Sequence, residues 1–159
     1  MAPLAATHDF HPIYRLWFLW IDPILTVAGM YGNLLDHNTN AEAFFTDLVP
    51  DVHFKPFFYQ IGGMGTSYLT LFVLLLRYTE DVNVWKIVQL AITWADFTML
   101  LAIHTAMTYE GTLWNVAAWR VLDWFSIVIT GGCTVLRIAF VLGIGVTPKK
   151  TAVKPGKSS

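Results

Sequence analysis

The chain has 159 residues, of which 55% are hydrophobic and only 13% are charged, and its net charge is −1. A soluble domain of this length would carry about a quarter charged residues, so the composition argues against a soluble protein and favours several membrane spans. The sequence has no nucleic-acid-binding signature. We therefore expect the lipid bilayer, and no nucleic acid, as a partner.

Four apolar segments follow one another along the chain. A helix rises ~1.5 Å per residue and needs ~20 residues to cross the hydrocarbon core. The first three segments fit one crossing each, whereas the fourth is overlong, so its first turns should lie in the interface or tilt. The segments are Ile13–Leu34, Phe57–Tyr78, Val84–Thr108 and a stretch within Leu113–Val146. The sequence predicts an all-α, four-helix transmembrane bundle over residues 13–146, an N-terminal segment 1–12 and a basic, disordered tail 147–159.

The charges outside the spans predict the orientation. Arg77 and Lys86 flank the second linker, and four lysines lie in the tail, whereas the first loop, 35–56, is acidic. By the positive-inside rule, the tail and the second linker face the cytoplasm. Four crossings then place the N-terminus on that same side and the first loop in the lumen. We expect a multi-pass protein of the endoplasmic reticulum.

Each predicted span carries polar residues on one helical face, since residues three, four or seven apart share a face. Lipid would not accommodate these faces, so they should converge on a polar interior. The four stripes are Arg15, Asp22, Thr26, Gly29 and Asn33; Gln60, Gly63 and Ser67, with Tyr68 at the edge; Gln89, Thr93, Asp96 and His104; and Asp123, Ser126, Thr130, Thr134 and Arg137.

The hydroxyl residues of these stripes are typical packing aids, but the charged residues are not. A charged side chain at the bilayer centre costs about 2.5–3.5 kcal/mol on an insertion scale, and four unpaired ones would cost roughly 10 kcal/mol. We expect at least two of them to have a function. The four are Asp22, Asp96, Asp123 and Arg137.

Depth along the helices groups the polar residues into two layers. Counted from the cytoplasmic side, Asp22, Asp96 and Arg137 lie roughly 13–18 Å deep and can meet. Tyr68 falls at the same level. A straight helix places Asp123 about 21 Å from Arg137, so both could contact only an elongated substrate. The residues expected nearer the lumen are Gln60, His104 and Asp123.

Two aspartates that share one arginine suggest acid–base chemistry. Arg137 favours one ionised aspartate, and the other can stay protonated, which places a carboxylate base beside a carboxylic acid. Such a pair suits an epoxide or strained ether. Soluble limonene-type epoxide hydrolases use a similar Asp-Arg-Asp arrangement on an unrelated fold, which is an analogy only. The catalytic candidates are Asp22, Asp96, Asp123 and Arg137, and the substrate-binding candidates are Gln60, Tyr68, Gln89, Trp94, His104 and Trp124.

The reaction could take place at either of two depths, in the layer of Asp22, Asp96 and Arg137 or nearer the lumen. If the chemistry lies nearer the lumen, Asp123 and His104 become the essential pair and Asp22 becomes structural, tied to a helix break at Pro23. A lone histidine such as His104 is, however, more often a satisfied interior or interface residue.

The sequence has no metal-ligand spacing and no glycine-rich phosphate loop, so we expect neither metal nor cofactor. Cys133 is typical of a small core residue.

Several short motifs resemble those of a known group. The stretches "YRLWFLWIDP", "LRYTEDVNVWK", "WADF" and "LDWFSIVITGGCTVLRIAFVLGIG", together with Gln60, resemble small fungal four-span membrane proteins over roughly residues 13–146. That group is similar to the membrane epoxide hydrolases of polyene α-pyrone biosynthesis, such as that of aurovertin and citreoviridin. The resemblance implies an enzyme of secondary metabolism that opens polyketide epoxides to diols or cyclic ethers, with a hydrophobic epoxide as substrate.

Two other functions compete with this hypothesis. Membrane terpene cyclases also use buried acids, and abundant aromatic rings would suit a cation. A small transporter or lipid-binding module could use buried charges as a proton relay, although four spans without an inverted repeat argue against a monomeric transporter. The sequence leaves the substrate, its stereochemistry and a homodimer open.

Overall fold

The computed structural model describes residues 8–46 and 49–148. It contains four helices that are long and apolar enough to cross a membrane, which we call the first to fourth spans. This confirms the predicted four-helix bundle, and the chain is an integral multi-pass membrane protein. The spans are Pro12–Leu34, Val52–Tyr78, Val82–Tyr109 and Val121–Val141. Shorter elements are the strands His8–Phe10 and Val146–Pro148, the helix His37–Glu42 and the 3₁₀ turn Val116–Ala118.

The spans pack as two pairs, the first against the second and the third against the fourth. Glycines allow the first pair to approach closely. A Cβ added at Gly62 would lie 2.4 Å from Leu34 Cδ2, and one added at Gly65 would lie 2.8 Å from Met30 Cγ. Gly62 and Gly65 of the sequence "GGMG" therefore provide the expected close-packing contact, because only glycine leaves room for the facing side chains.

The predicted inward stripe of the second span is wrong. Gln60 and Ser67 are exposed, and a Cβ at Gly63 would meet no atom within 4 Å. The helix is rotated relative to that prediction because Gly62 and Gly65 must face the first span. Ser67 Oγ donates to the carbonyl of Gly63 at 3.3 Å, so its hydroxyl is satisfied within its own helix.

One end of the bundle is closed by aromatic packing. Phe18 and Phe140 are fully buried, and Phe10, Tyr14 and Trp85 pack around them. Ring centroids of Phe10 and Trp85 lie 4.9 Å apart, and those of Tyr14 and Phe140 lie 4.9 Å apart. Such contacts stabilise beyond their buried area. The closed end therefore fixes how the two helix pairs meet.

A two-stranded antiparallel sheet lies at this closed end. His8 pairs with Pro148, and Phe10 pairs with Val146, so both ends of the described chain lie on the same side. The boundary predicted for the disordered tail was early, because Thr147 and Pro148 belong to the strand. Residues 149–159, where the tail lysines lie, fall outside the described residues.

The first span continues through Pro23 instead of breaking there. Trp17–Ile21 forms one π turn, in which the N–H of Asp22 donates to the carbonyl of Trp17. Pro23 has no N–H to offer the carbonyl of Leu19, four residues earlier. Arg77 Nη2 donates to that carbonyl at 2.8 Å, so a side chain from the second span replaces the missing backbone donor.

The segment before the fourth span is not α-helical. Only the 3₁₀ turn Val116–Ala118 precedes Arg120, and the helix starts at Val121. The overlong fourth segment therefore divides into an irregular part and one helix of spanning length.

Candidate functional site

An apolar cavity of about 480 Å³ lies between the two pairs of spans. This volume is within the usual range for small-molecule sites, about 300–1,000 Å³. Walls come from the first three spans, from Arg137 of the fourth span, and from Asn40 and Phe44 within and after the short helix His37–Glu42. Representative wall residues are Met30, Ile61, Met64, Tyr68, Ile92 and Met99.

A charged cluster forms the polar wall of this cavity. Arg137 Nε donates to Asp96 Oδ2 at 2.7 Å. Its Nη1 donates to Asp22 Oδ2 at 2.8 Å, and its Nη2 donates to Asp22 Oδ1 at 3.1 Å. Gln89 Oε1 accepts a further bond from Nη1 at 2.7 Å. The structure thus brings together the three charged residues predicted to share one layer.

The two aspartates of this cluster differ in accessibility. The side chain of Asp22 is 2% exposed and that of Asp96 is 14% exposed. Asp96 and Arg137 line the cavity, whereas Asp22 and Gln89 lie behind them. Any molecule in the cavity would therefore meet the Asp96 carboxylate before that of Asp22.

Helical spacing explains how the third span presents its polar residues. Gln89, Thr93 and Asp96 are four and three residues apart and share the face that meets Arg137. Thr93 Oγ1 donates to the carbonyl of Gln89 at 2.7 Å and so takes no part in the charged cluster. Thr26 donates to a carbonyl of its own helix in the same way, as expected of a packing residue. Thr134 also donates to its own helix, and its hydroxyl lies beside the Asp96 carboxyl.

Asp123 lies apart from the cluster and has a different partner. Its Oδ2 accepts from the backbone N–H of Arg120 at 2.8 Å, and its Oδ1 accepts from Arg120 Nη2 at 2.7 Å. The two residues cap the start of the fourth span. Hydrogen bonding to Asp123 raises the pKa of Arg120. Asp123 is thus tied to Arg120, and the structure does not place it on His104 or Arg137.

The other predicted substrate-binding residues divide into two groups. Tyr68 lines the cavity, and Gln89 holds Arg137 from behind it. The remaining four do not line it. Trp94 is 66% exposed and Trp124 is 46% exposed, so both rings face away from the interior of the bundle. The four residues on the outer surface are Gln60, Trp94, His104 and Trp124.

The cavity wall contains a second polar contact, which helix periodicity does not predict. Asn40 Nδ2 donates to Asn33 Oδ1 at 3.2 Å, and both residues line the cavity. Asn33 belongs to the polar stripe of the first span, whereas Asn40 lies in the first loop, outside the four stripes. The sequence does indicate a helix in this part of the first loop, because Asp36 is a typical N-cap residue.

Within residues 8–46 and 49–148, no group of three or more His, Cys, Asp or Glu side chains is arranged to hold a metal ion. Cys133 Sγ lies 3.9 Å from Asp22 Oδ1 and is buried.

Comparison with known families adds one result. Residues 7–147 match the profile of a domain of unknown function, DUF7704. The chain belongs to this family. The match includes all four spans, the first strand of the small sheet and all but the last residue of the second strand. No curated protein and no solved structure matches the chain significantly. The description of the DUF7704 family names no activity, so the site is the basis for the proposed function.

Proposed function

We propose that this DUF7704 protein is a membrane-embedded enzyme that opens epoxides of a hydrophobic polyketide to give diols or cyclic ethers. The observation that carries the proposal is the position of Asp96. It is bonded to Arg137 and also lines an apolar cavity of about 480 Å³. A carboxyl group that faces an apolar cavity deep in a membrane domain is typical of function. The sequence resemblance to membrane epoxide hydrolases supports the same reaction.

The charge of the cluster supports acid–base chemistry. Arg137 carries one positive charge, and Asp22 and Asp96 together could carry two negative charges. Two ionised carboxylates that share one cation away from water are disfavoured, so the cluster favours retaining one proton. Asp22 accepts two bonds from Arg137, whereas Asp96 accepts one. We therefore assign the negative charge to Asp22 and the proton to Asp96.

The reaction then needs one proton donor and one nucleophile. Protonated Asp96 gives its proton to the epoxide oxygen while one carbon–oxygen bond of the ring breaks. A water molecule or a hydroxyl of the substrate forms the new carbon–oxygen bond. The proton that this nucleophile loses returns to Asp96, so the enzyme is regenerated. Water gives a diol, and an internal hydroxyl gives a cyclic ether of unchanged mass.

The buried residues behind Asp96 have positioning roles in this scheme. Asp22 compensates the charge of Arg137, and Gln89 accepts a bond from the same guanidinium nitrogen that contacts Asp22. Arg137 in turn fixes the Asp96 carboxyl at the cavity wall and stabilises its ionised form after proton transfer. The hydroxyl of Tyr68 is a candidate hydrogen-bond donor to the opened oxygen, since Tyr68 lines the same cavity.

The location of this chemistry is also part of the proposal. We place the protein in the endoplasmic reticulum with both ends cytoplasmic. Arg77 and Lys86 flank the linker at the closed end of the bundle, and the positive-inside rule assigns that end to the cytoplasm. The cavity then extends from the charged cluster towards the luminal loop.

Product mass is the test of the reaction. Membranes from a host that expresses the protein are incubated with candidate polyene epoxides, and products are followed by mass spectrometry. Hydration adds one water, whereas cyclisation changes retention without changing mass. Asp96→Asn should reduce turnover by about 10²–10⁴-fold, because asparagine cannot exchange the proton. Asp51→Asn, a change of an exposed first-loop carboxyl that does not line the cavity, is the matched control and should retain activity. Full turnover in Asp96→Asn would refute carboxyl catalysis at this site.

The second candidate function is binding of a lipid without chemistry. The mostly apolar wall of the cavity favours it, since such a wall would also accept an acyl chain. Binding of an epoxide without any product, in a protein of intact fold, would favour this candidate over the enzyme.

A further inference from the structure

The cavity has a second polar position, remote from the charged cluster. Asn33 is 8% exposed and lines the cavity near the first loop, together with Asn40. Eleven residues separate Asn33 from Asp22 on the first span, which corresponds to about 16 Å along a helix. A polar amide is costly in an apolar wall unless it is hydrogen-bonded. The Asn33 amide in this wall therefore requires a hydrogen-bonding partner.

The two amides do not use all their hydrogen-bonding groups on each other. Asn33 Nδ2 donates to the carbonyl of Gly29 at 2.8 Å, and Asn33 Oδ1 accepts from Asn40 Nδ2 at 3.2 Å. Asn33 thus has a donor and an acceptor engaged within the protein. The contact uses one N–H of Asn40 and leaves its second N–H and its carbonyl oxygen for a ligand.

The backbone that carries Asn40 is held in place locally. Asp36 caps the short helix His37–Glu42, with Oδ1 accepting from the N–H of Thr39 at 3.2 Å and Oδ2 from its hydroxyl at 2.8 Å. These bonds hold the pKa of Asp36 below its usual range. Asn33 fixes the side chain of Asn40 and Asp36 fixes its helix, so the amide is preorganised for binding.

We propose that Asn40, positioned by Asn33, binds the polar end of an elongated substrate whose reacting epoxide lies at Asp96. This inference rests on the proposed function for the reacting end. It defines the substrate class as a long, mainly apolar molecule with a hydroxyl or carbonyl group at the end remote from the epoxide. The apolar walls between the two polar positions, including Met64 and Met99, contact the body of the molecule. Asn40 then selects which end of the molecule faces Asp96.

Two probe molecules test this assignment. One is the terminal epoxide of dodecane, and the other is the same epoxide with a hydroxyl at the far end. Binding of each to the full chain in lipid nanodiscs is measured by calorimetry, separately from product formation. The wild-type protein should bind the hydroxyl-bearing probe about tenfold more tightly, as expected for one additional hydrogen bond. Equal binding of the two probes by the wild-type protein would overturn the proposal.

Substitutions of Asn40 test whether this side chain causes the preference for the hydroxyl-bearing probe. Asn40→Leu and Asn40→Ala should each abolish it while retaining binding of the plain epoxide, and either variant suffices if the other does not fold. Asn38→Leu changes an exposed residue of the same helix that does not line this cavity, so the preference should persist. Persistence of the preference in an Asn40 variant would assign the polar end elsewhere. A normal preference without any product would leave Asn40 assigned and refute only the epoxide-opening activity.

Discussion

Arg137 and Asp22 form a two-point contact between the fourth and the first span, with Nη1–Oδ2 and Nη2–Oδ1 distances of 2.8 and 3.1 Å. These spans belong to different helix pairs. The contact therefore links the two halves of the bundle beside the cavity. Because the side chains of both residues are at most 5% exposed, neither charge can be rehydrated if its partner is lost.

Removal of Arg137 should destabilise the protein strongly. Arg137→Gln leaves two buried aspartates without a cation, and breaking such a buried pair typically costs about 3–5 kcal/mol. Thermal unfolding of the purified protein in detergent measures the effect. Arg15→Gln is the control, because the side chains of Arg15 and its partner Glu80 are 42% and 49% exposed, and loss of such a surface pair should cost about 1 kcal/mol or less. Equal losses in the two variants would show that the cluster does not hold the helix pairs together.

Asp123→Asn should affect stability and leave turnover largely intact. Asp123 accepts from the backbone and side chain of Arg120 at the start of the fourth span and does not line the main cavity. Loss of the charge should weaken this cap by about 1 kcal/mol. Turnover at matched protein levels is compared with that of Asp96→Asn. A loss of turnover as large as that of Asp96→Asn would show that the reaction takes place near Asp123, at the luminal end.

Tyr68→Phe should slow the proposed reaction without unfolding the protein. The substitution removes a hydroxyl from the cavity wall and keeps the ring, so packing is preserved. Loss of one hydrogen bond to the opened oxygen should lower kcat about tenfold. Tyr59→Phe, a change at an exposed tyrosine of the same span, is the control. An unchanged kcat in Tyr68→Phe would remove the hydroxyl from the mechanism.

Gly62 and Gly63 should respond in opposite ways to alanine. A Cβ at Gly62 would lie 2.4 Å from Leu34 Cδ2, so Gly62→Ala must displace Leu34 and separate the first and second spans. A Cβ at Gly63 would meet nothing within 4 Å. Gly63→Ala should therefore be neutral or stabilise the helix by up to about 1 kcal/mol. Unfolding midpoints of the two variants measure this difference, and similar values would contradict the packing of this pair.

Orientation can be tested with glycosylation acceptor sites. We expect a site appended after Ser159 to remain unmodified and a site inserted within residues 43–50 to be glycosylated, because the cationic linker marks the cytoplasmic side. A shift in electrophoretic mobility that is reversed by a glycosidase gives the result. The opposite pattern of modification would invert the topology.

The sequence by itself determined the membrane class and much of the charged cluster. Runs of apolar residues of spanning length leave few alternatives to membrane helices, because backbone groups in lipid must bond within a helix. Asp22, Asp96 and Arg137 could be placed at one depth because the rise of a helix is constant. Charge pairing across that depth follows from the cost of leaving any of them alone in hydrocarbon.

Tertiary packing decided what depth and periodicity could not. Helix rotation depends on which small residues meet a neighbour, and the contact of Gly62 with Leu34 turned Gln60 outward. Asp123 shares a stripe with Arg137 but accepts hydrogen bonds from Arg120 instead, because Arg120 lies three residues away and the two residues cap the start of the fourth span. Asn40 belongs to the short helix His37–Glu42 in the first loop, and the path of that loop, which periodicity does not predict, places it in the cavity wall. Asp96 and Asp22 are equivalent in sequence terms, and only the packing around Arg137 made one accessible to the cavity and buried the other.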